Sequence, residues 1–407
     1  MPLPMTAVLE HGKTATAPVN LKFMNHEILL SQARFSGRTM LTPDIELKDY
    51  SFRAVIDWIE FQISFGKTTQ FRFVQEVLRK HLGRTCLVTP VDPGEGNESD
   101  TFTIKIQEPK SGKEISDLCD ALFAHFGKSS DATIRGLEVS LDAKPRKPSD
   151  KARHLAVGVL QRTIFSTRDI WTKPASRPRS NKGRASSGQV TQDNRKLLVE
   201  SRRGNEEEGY LLPENHFAPW IDGTMYLGAK DDDVMIRIMD KVIDQQNPEE
   251  GTWIDLPDTE MRARIEVTLK GEELRVLGLR RISDLRGFAF TKLQGRYFQF
   301  KLPTFRTAPN GKAPVFTLIN EKTQCRRAEI FLKTGVVGLR ARDVASRDYR
   351  TSMIDDLRRL CRQRGRPISI RQGGSGETGL FVAYDRLNRF AATALRQLGE
   401  REATAWK

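Results

Sequence analysis

Two stretches decide the fold: GTMYLGAKDDDVMIRIMDK at 223–241 and RARIEVTLKG at 262–271. The first contains two strand-like runs, GTMYLG (223–228) and VMIRIMDK (234–241), separated by the polar turn AKDDD, which predicts a β-hairpin with a longer loop. In the second, Ile265, Val267 and Leu269 alternate with Arg264, Glu266 and Thr268, the period of a strand with one apolar and one polar face. Arg237 and Lys241 have the same parity on their strand. Upstream, TIRGLEVSLDA places Glu138 and Asp142 four residues apart, hence on one face of a third strand.

Further towards the N-terminus, Ile59, Phe61, Ile63 and Phe65 alternate with Glu60, Gln62 and Ser64. TTQFRFVQEVLRKHLG then carries Phe71, Val74, Val77, Leu78 and Leu82 at helical spacing, with Thr68 or Thr69 as N-cap and Gly83 as C-cap. TFTIKI predicts another strand. A second helix presents Ile115, Leu118, Cys119, Leu122, Phe123 and Phe126 on one face and ends at Gly127. The pattern predicts an α+β fold: a mixed or antiparallel central sheet with flanking helices, plus a smaller, mostly helical C-terminal region. Residues 1–44 show no sustained period and read as an extension, 45–320 as the main domain and 321–407 as the C-terminal region. Within the main domain, 172–195 holds six Lys/Arg against one acid among Pro, Ser and Gly. Such a segment cannot form a packed core and reads as a solvated basic insertion, open to phosphate contact.

Composition narrows the function classes. The chain has 407 residues, 38% of them hydrophobic, and 66 Lys+Arg against 52 Asp+Glu, a formal charge of +14. It can bury a core, so it is no disordered polycation, and the excess points to a polyanionic partner, usually nucleic acid. No apolar run approaches the ~18–20 residues of a membrane span. Four scattered cysteines without a C-x-x-C pair fit a reducing cytoplasm and exclude a zinc ribbon or disulfide framework.

Several motif-like stretches fail on inspection. Gly66-Lys67-Thr68 and Gly127-Lys128-Ser129 lack the leading glycine of a P-loop, since Phe61 and Leu122 stand there. The glycines at 374, 376 and 379 match G-x-G-x-x-G, yet too little chain follows for a dinucleotide-binding unit. The six histidines include no H-x-H pair. Taken alone, the acids, arginines and Tyr226 on these strands also fit an ordinary solvated strand face.

GTMYLGAKDDDVMIRIMDK followed by R-x-E resembles the replication initiation factor family of filamentous bacteriophages, which is similar to staphylococcal-type rolling-circle plasmid initiators and related conjugative relaxases. The family pattern runs approximately T-x-Y-x-G-S-x-x-S-x-x-x-x-R-x-Y-x-K. Thr224, Tyr226, Gly228, Arg237 and Lys241 match it without a gap, and Arg264 and Glu266 supply the later pair. IRGLEVSLDA is similar to the family's R-x-D-x-x-x-D strand, with Glu138 and Asp142 as the acids and Arg135 one position early. Asp57-Trp58 resembles its opening D-[YW] pair. Ala229 and Asp232 replace the two serines, and Met239 stands where the family usually has a second tyrosine.

The resemblance implies a rolling-circle replication initiator that nicks one origin strand through a tyrosine, leaving a 5′-phosphotyrosine link and a free 3′-hydroxyl. It implies Tyr226 as nucleophile, with Arg237 and Lys241 supplying cationic charge. Glu138 and Glu266, with Asp142 as third, would hold Mg²⁺ or Mn²⁺, which suit oxygen ligands. Tyr210 and Tyr297 are the next candidates for nucleophile. Arg135, Arg264, Arg358, Arg359 and Arg362 are expected DNA contacts, the last three in MIDDLRRLCRQRGR. Expected partners are origin DNA, duplex and single-stranded, with a host replication helicase and polymerase; a homodimer is compatible, and no membrane is involved. A conjugative relaxase with the same chemistry fits the same residues. If the second tyrosine position carried the chemistry, Met239 would leave a DNA-binding protein that does not cut.

Overall fold

The computed structural model describes residues 2–12, 16–166, 185–188, 195–196, 199–203, 207–211, 218–228, 230, 232–247, 252–307, 314–364 and 380–407. The chain opens with β1 (Thr6–Leu9), β2 (Val19–Glu27) and β3 (Arg38–Pro43), whose Ala7, Leu9, Leu21, Phe23 and Leu41 point into the core. The first 44 residues thus hold three strands where the sequence predicts only an extension. Each apolar alternation here is only two or three residues long, too short to register as a period.

β4 (Tyr50–Gln70) is a single 21-residue strand whose pairing shifts register at three places, Ile56/Trp58, Glu60/Phe61 and Ser64/Thr69. α1 (Phe71–Leu82) follows with Gln70 at its N-cap, because Thr69 is still paired with Ser99 in the sheet. Gly83, at φ +70°, terminates it as expected, a left-handed cap that costs glycine little. β5 (Leu87–Pro90), β6 (Glu98–Gln107), α2 (Gly112–Phe126), β7 (Thr133–Pro145), α3 (Asp150–Thr163) and β8 (Ile164–Phe165) come next. Ser111 and Ser149 cap α2 and α3 by accepting from the amides of Glu114 and Ala152.

β9 (Ala185–Gly188) and β10 (Arg195–Lys196) are the described parts of the basic insertion. β11 (Val199–Arg203) and β12 (Glu207–Leu211) form a hairpin. The expected 223–241 hairpin is β13 (Thr224–Leu227) and β14 (Val234–Lys241). β15 (Ile243–Asn247), β16 (Thr252–Asp255), β17 (Arg262–Lys270), α4 (Gly271–Leu277), α5 (Thr291–Tyr297) and β18 (Gln299–Arg306) lead to α6 (Pro314–Gln363), β19 (Phe381–Ala383) and α7 (Asp385–Ala405). Ala229, most of 172–195 and the glycines at 374, 376 and 379 lie outside the described residues.

The fold is α+β and its sheets are antiparallel. Nine strands among the described residues form one sheet, ordered β10-β9-β13-β14-β17-β7-β4-β6-β5. One face of it is apolar: Met225, Ile236, Ile238, Ile265, Val267, Val139, Leu141, Ile59 and Phe61 are all buried there. α3 packs on β7, β14 and β17, and α2 and α7 pack on β4. Each fully buried Ile or Leu stabilises the fold by about 1.5–3 kcal/mol. A one-residue slip of any strand would turn that set outward and drive carboxylates into the core, so register is firmly specified. The polar residues of β7, β14 and β17 are thereby fixed on the opposite face.

A second sheet, β1-β2-β3-β18-β19 with β8 also on β18, is joined to the first by shared core residues. α6 is two helical segments meeting at Gly335, where φ is +72° and ψ −167°. α7 docks on the main sheet through the stacked Phe52 and Phe390 rings and on α2 through Glu402, which accepts from the Gly112 amide at 2.7 Å. All four cysteines are free, and no helix among the described residues is long and apolar enough to cross a membrane.

Candidate active site

Strand register sets out the site as rows across the polar face. Tyr226 of β13 lies opposite Arg237 of β14, Arg237 opposite Glu266 of β17, and Glu266 opposite Ser140 of β7. One step along, Met235, Thr268, Glu138 and Trp58 form a second row. Met239, Arg264, Asp142 and Arg53 form a third on the other side. The gapless spacing of Tyr226 and Arg237 in the sequence is what this hairpin pairing requires.

The Asp57, Glu138 and Glu266 carboxylates converge, each offering an oxygen within 4.8 Å of the others. Asp57 reaches them through a β-bulge. Ile56 pairs with Val139 and Trp58 with Glu138, so Asp57 is the extra residue of β4. Glu138 and Glu266 are 0% and 4% exposed. Arg237 Nη2 stands 2.7 Å from both Glu138 Oε1 and Glu266 Oε2. Thr268 Oγ1 donates to Glu138 Oε2.

Burial pushes both glutamates above the usual carboxylate range, Glu266 to about 7, with Arg237 pulling the other way. The Tyr226 phenol is likewise pushed up by burial and drawn down by Thr224 and Arg237. Three buried polar atoms of the first row lack a directed hydrogen bond: Ser140 Oγ, Glu266 Oε2 and Arg237 Nε. Glu266 Oε2 feels the Arg237 charge at 2.7 Å, yet its lone pairs are not filled. Buried oxygens in that condition, in an all-carboxylate set, fit a hard divalent cation such as Mg²⁺ or Mn²⁺.

Asp142 and Arg264, expected as a metal ligand and a DNA contact, are instead joined to each other. Arg264 donates from Nε and Nη2 to the two Asp142 oxygens at 2.6 and 2.9 Å. Its Nη1 reaches Asp57 Oδ1 at 2.6 Å, and Arg262 Nε lies 3.0 Å from Asp142. Arg264 is 3% exposed, which leaves no guanidinium edge for a phosphate. Asp57 takes the third position of the acidic cluster. The signal for this was in the sequence: apolar residues fall at 54 and 56, then at 59, 61, 63 and 65, a parity change that marks an inserted residue.

Lys241 lies four residues beyond Arg237 on β14, about 13 Å along the strand, and pairs with Arg262. It is not brought to Tyr226. Arg135 is exposed and donates to Gln62 at 2.7 Å. Arg358, Arg359 and Arg362 lie on the second segment of α6, where Arg359 pairs with Asp356 at 3.2 Å. Tyr297 is fully buried and donates to Glu273, and the Tyr210 side chain lies outside the described residues.

Sequence reasoning missed Lys105. Its ammonium lies 3.7 Å from the centre of the Trp58 ring, beside Glu138. Trp58 in turn covers Gly136, where a Cβ would come within 2.7 Å of the indole. A lone lysine in TFTIKI carries no signal by itself.

No protein-family model matches this chain, and no curated protein does. Among solved structures, it is similar to a rolling circle replication initiator protein from Geobacillus stearothermophilus. The alignment covers 67% of this chain and 97% of that one, at 13% identity and a TM-score of 0.27. At those values the likeness carries no argument about what the chain does.

Proposed function

We propose that this chain is a DNA strand-nicking initiator of the rolling-circle type. The observation that carries the reading is the in-register row Tyr226–Arg237–Glu266 beside the convergent Asp57, Glu138 and Glu266 carboxylates, in a chain of formal charge +14. A nucleophile, a cation and an acidic cluster on adjacent strands are the parts that phosphodiester transfer needs, and a solvated ladder has no need to bury its acids.

In this reading Asp57, Glu138 and Glu266 hold Mg²⁺ or Mn²⁺. When bound, the cation neutralises phosphate charge and stabilises the departing oxygen. Tyr226 Oη attacks phosphorus as the P–O3′ bond breaks. The phenol gives up its proton and the departing O3′ takes one, leaving a 5′-phosphotyrosine and a free 3′-hydroxyl. Arg237 favours the phenolate across the strand pair, against the burial that raises its pKa. Arg264 holds Asp57 and Asp142 in place, and Thr268 orients Glu138. A replication helicase and polymerase would follow at the exposed 3′-hydroxyl, and a conjugative relaxase would use the same parts at a transfer origin.

The test is nicking of supercoiled DNA carrying the element's own origin, with Mg²⁺ or Mn²⁺, by wild type and Tyr226→Phe. Nicked circles bearing protein on the 5′ end in wild type alone support the reading. Equal nicking by Tyr226→Phe moves the nucleophile elsewhere. Specific binding without nicking by either protein would favour a non-cutting DNA-binding protein, the reading that Met239 opposite Arg264 keeps in view.

A further inference from the structure

A second concentration of charge lies on the smaller sheet and α6, sharing no residue with the carboxylate site. Arg38 of β3 and Arg306 of β18 are direct cross-strand partners, a like-charge pairing that weakens a sheet. Arg38 is tied down by donating from Nε to Thr304 Oγ1 at 2.7 Å. Arg326 and Arg327 come from the first segment of α6 and Arg342 from the second. Sixteen residues separate Arg327 from its ion-pair partner Asp343, roughly 24 Å in a straight helix. The bend at Gly335 brings them together.

The result is a run of five guanidiniums in which, among the described residues, Asp343 pairs with Arg327 alone. Arg306 and Arg327 act on Arg38, and Arg326 and Arg327 act on Arg342, with Asp343 the acid acting on both. Arg306, Arg326 and Arg342 have no ion-pair partner among the described residues. Arg327 is 9% exposed and its Nη2 is buried without a hydrogen bond, as is Asp343 Oδ2. Burial and mutual repulsion both hold Arg38 below the usual arginine range. A fold that accumulates uncompensated cations on converging elements is stabilised by a polyanion that threads them.

We propose that Arg38, Arg306, Arg326, Arg327 and Arg342 form a second DNA-contact surface that grips the phosphates of duplex DNA, separate from the Tyr226 site. Arg306 and Arg326 are exposed and make the phosphate contacts; Arg38, Arg327 and Arg342 supply the field behind them. Guanidiniums are matched to phosphate by their paired donors. The identity of the polyanion as DNA rests on the nicking reading above. The surface would hold the duplex beside the origin while one strand occupies the carboxylate site.

The experiment uses the full chain and a short fluorescein-labelled duplex of random sequence, with anisotropy followed across a salt series. R306Q/R326Q is compared with R79Q/K80Q, which removes the same charge from the exposed face of α1. Both variants are first checked for wild-type melting temperature. Binding by R306Q/R326Q is expected to weaken, and its log K against log salt slope to become shallower by about 2, roughly 0.9 per lost phosphate contact. R79Q/K80Q should keep the wild-type slope. An unchanged slope in R306Q/R326Q, or an equal change in both variants, overturns the proposal. Wild-type protein that binds the duplex through this surface but never nicks its origin would overturn the nicking reading alone.

Discussion

The Asp57 carboxylate reaches the Glu138 carboxylate because β4 carries one residue more than β7 between Ile56 and Trp58. In a regular strand Asp57 would take the place of Trp58 opposite Glu138, and the large indole would turn towards the helices. The bulge instead directs both Asp57 and Trp58 to the polar face. Asp57 joins the acids, while Trp58 lies across Gly136 with Lys105 above it. One inserted residue thus supplies both a third carboxylate and the aromatic wall beside it.

Asp57 and Asp142 should therefore separate on substitution. Asp57→Asn is expected to lower Mn²⁺ affinity, measured by calorimetry, because it removes a converging oxygen. Asp142→Asn should leave Mn²⁺ affinity within a few-fold but destabilise the chain by about 3–5 kcal/mol, since Arg264 and Arg262 lose their buried counter-charge. Equal loss of affinity in both variants would restore Asp142 as a ligand.

Much of this site is legible in the sequence, and the exceptions have physical causes. The faces of β7, β14 and β17 follow from strict alternation, so Glu138, Arg237 and Glu266 could be grouped before any coordinates. The pairing of Tyr226 with Arg237 follows from the hairpin. Which acid completes the cluster does not follow from simple alternation: the parity change between Ile56 and Ile59 marks an inserted residue, but not that Asp57 turns towards Glu138. Nor does the Arg264–Asp142 pair, since spacing alone cannot distinguish a carboxylate that binds metal from one that binds a guanidinium. The cluster around Arg327 depends on a helix bend at Gly335, inside a segment whose arginines read equally well as a solvated face.

Arg237 is the cation placed between Glu138 and Glu266, and removing it leaves two buried acids facing each other. Arg237→Met should cost about 3–5 kcal/mol in urea denaturation at neutral pH in chelator. Adding Mn²⁺ should recover more stability in Arg237→Met than in wild type, because the ion then supplies charge that the guanidinium no longer does. A smaller Mn²⁺ effect in the variant would mean that Arg237 orients the carboxylates for the ion instead of balancing them.

The burial-raised carboxyl of Glu266 gives an unusual sign to pH dependence. Below about pH 4.5 it is neutral in folded and unfolded chain alike. Between there and about pH 7 the unfolded chain ionises it while the folded chain keeps the proton, so its contribution to stability falls as pH rises and levels off above about 7. Glu266→Gln cannot ionise. Its stability relative to wild type, in chelator, should therefore rise with pH across that window. A relative stability that falls instead would mean that Arg237 and Arg264 outweigh burial.

Gly335 is a position where no other residue fits. Its φ of +72° with ψ near −167° belongs to a region essentially reserved for glycine. An added Cβ would come within 2.6 Å of Arg162 Cα and 2.8 Å of the Gln161 carbonyl oxygen, both backbone atoms at the end of α3 that cannot rotate away. The fully buried Arg162 also donates from Nε to the Leu332 carbonyl at 2.8 Å, closing the first segment of α6 against α3. Gly335→Ala must therefore push α6 off α3 or straighten the bend, and straightening breaks the Arg327–Asp343 pair. A loss of at least about 3 kcal/mol in chemical denaturation is expected, combining backbone strain with overpacking. The same variant, held below its melting temperature, should bind labelled duplex with a shallower salt slope, since the arginines of the two α6 segments no longer converge. Wild-type stability in Gly335→Ala would mean that the bend is not fixed by its contact with α3.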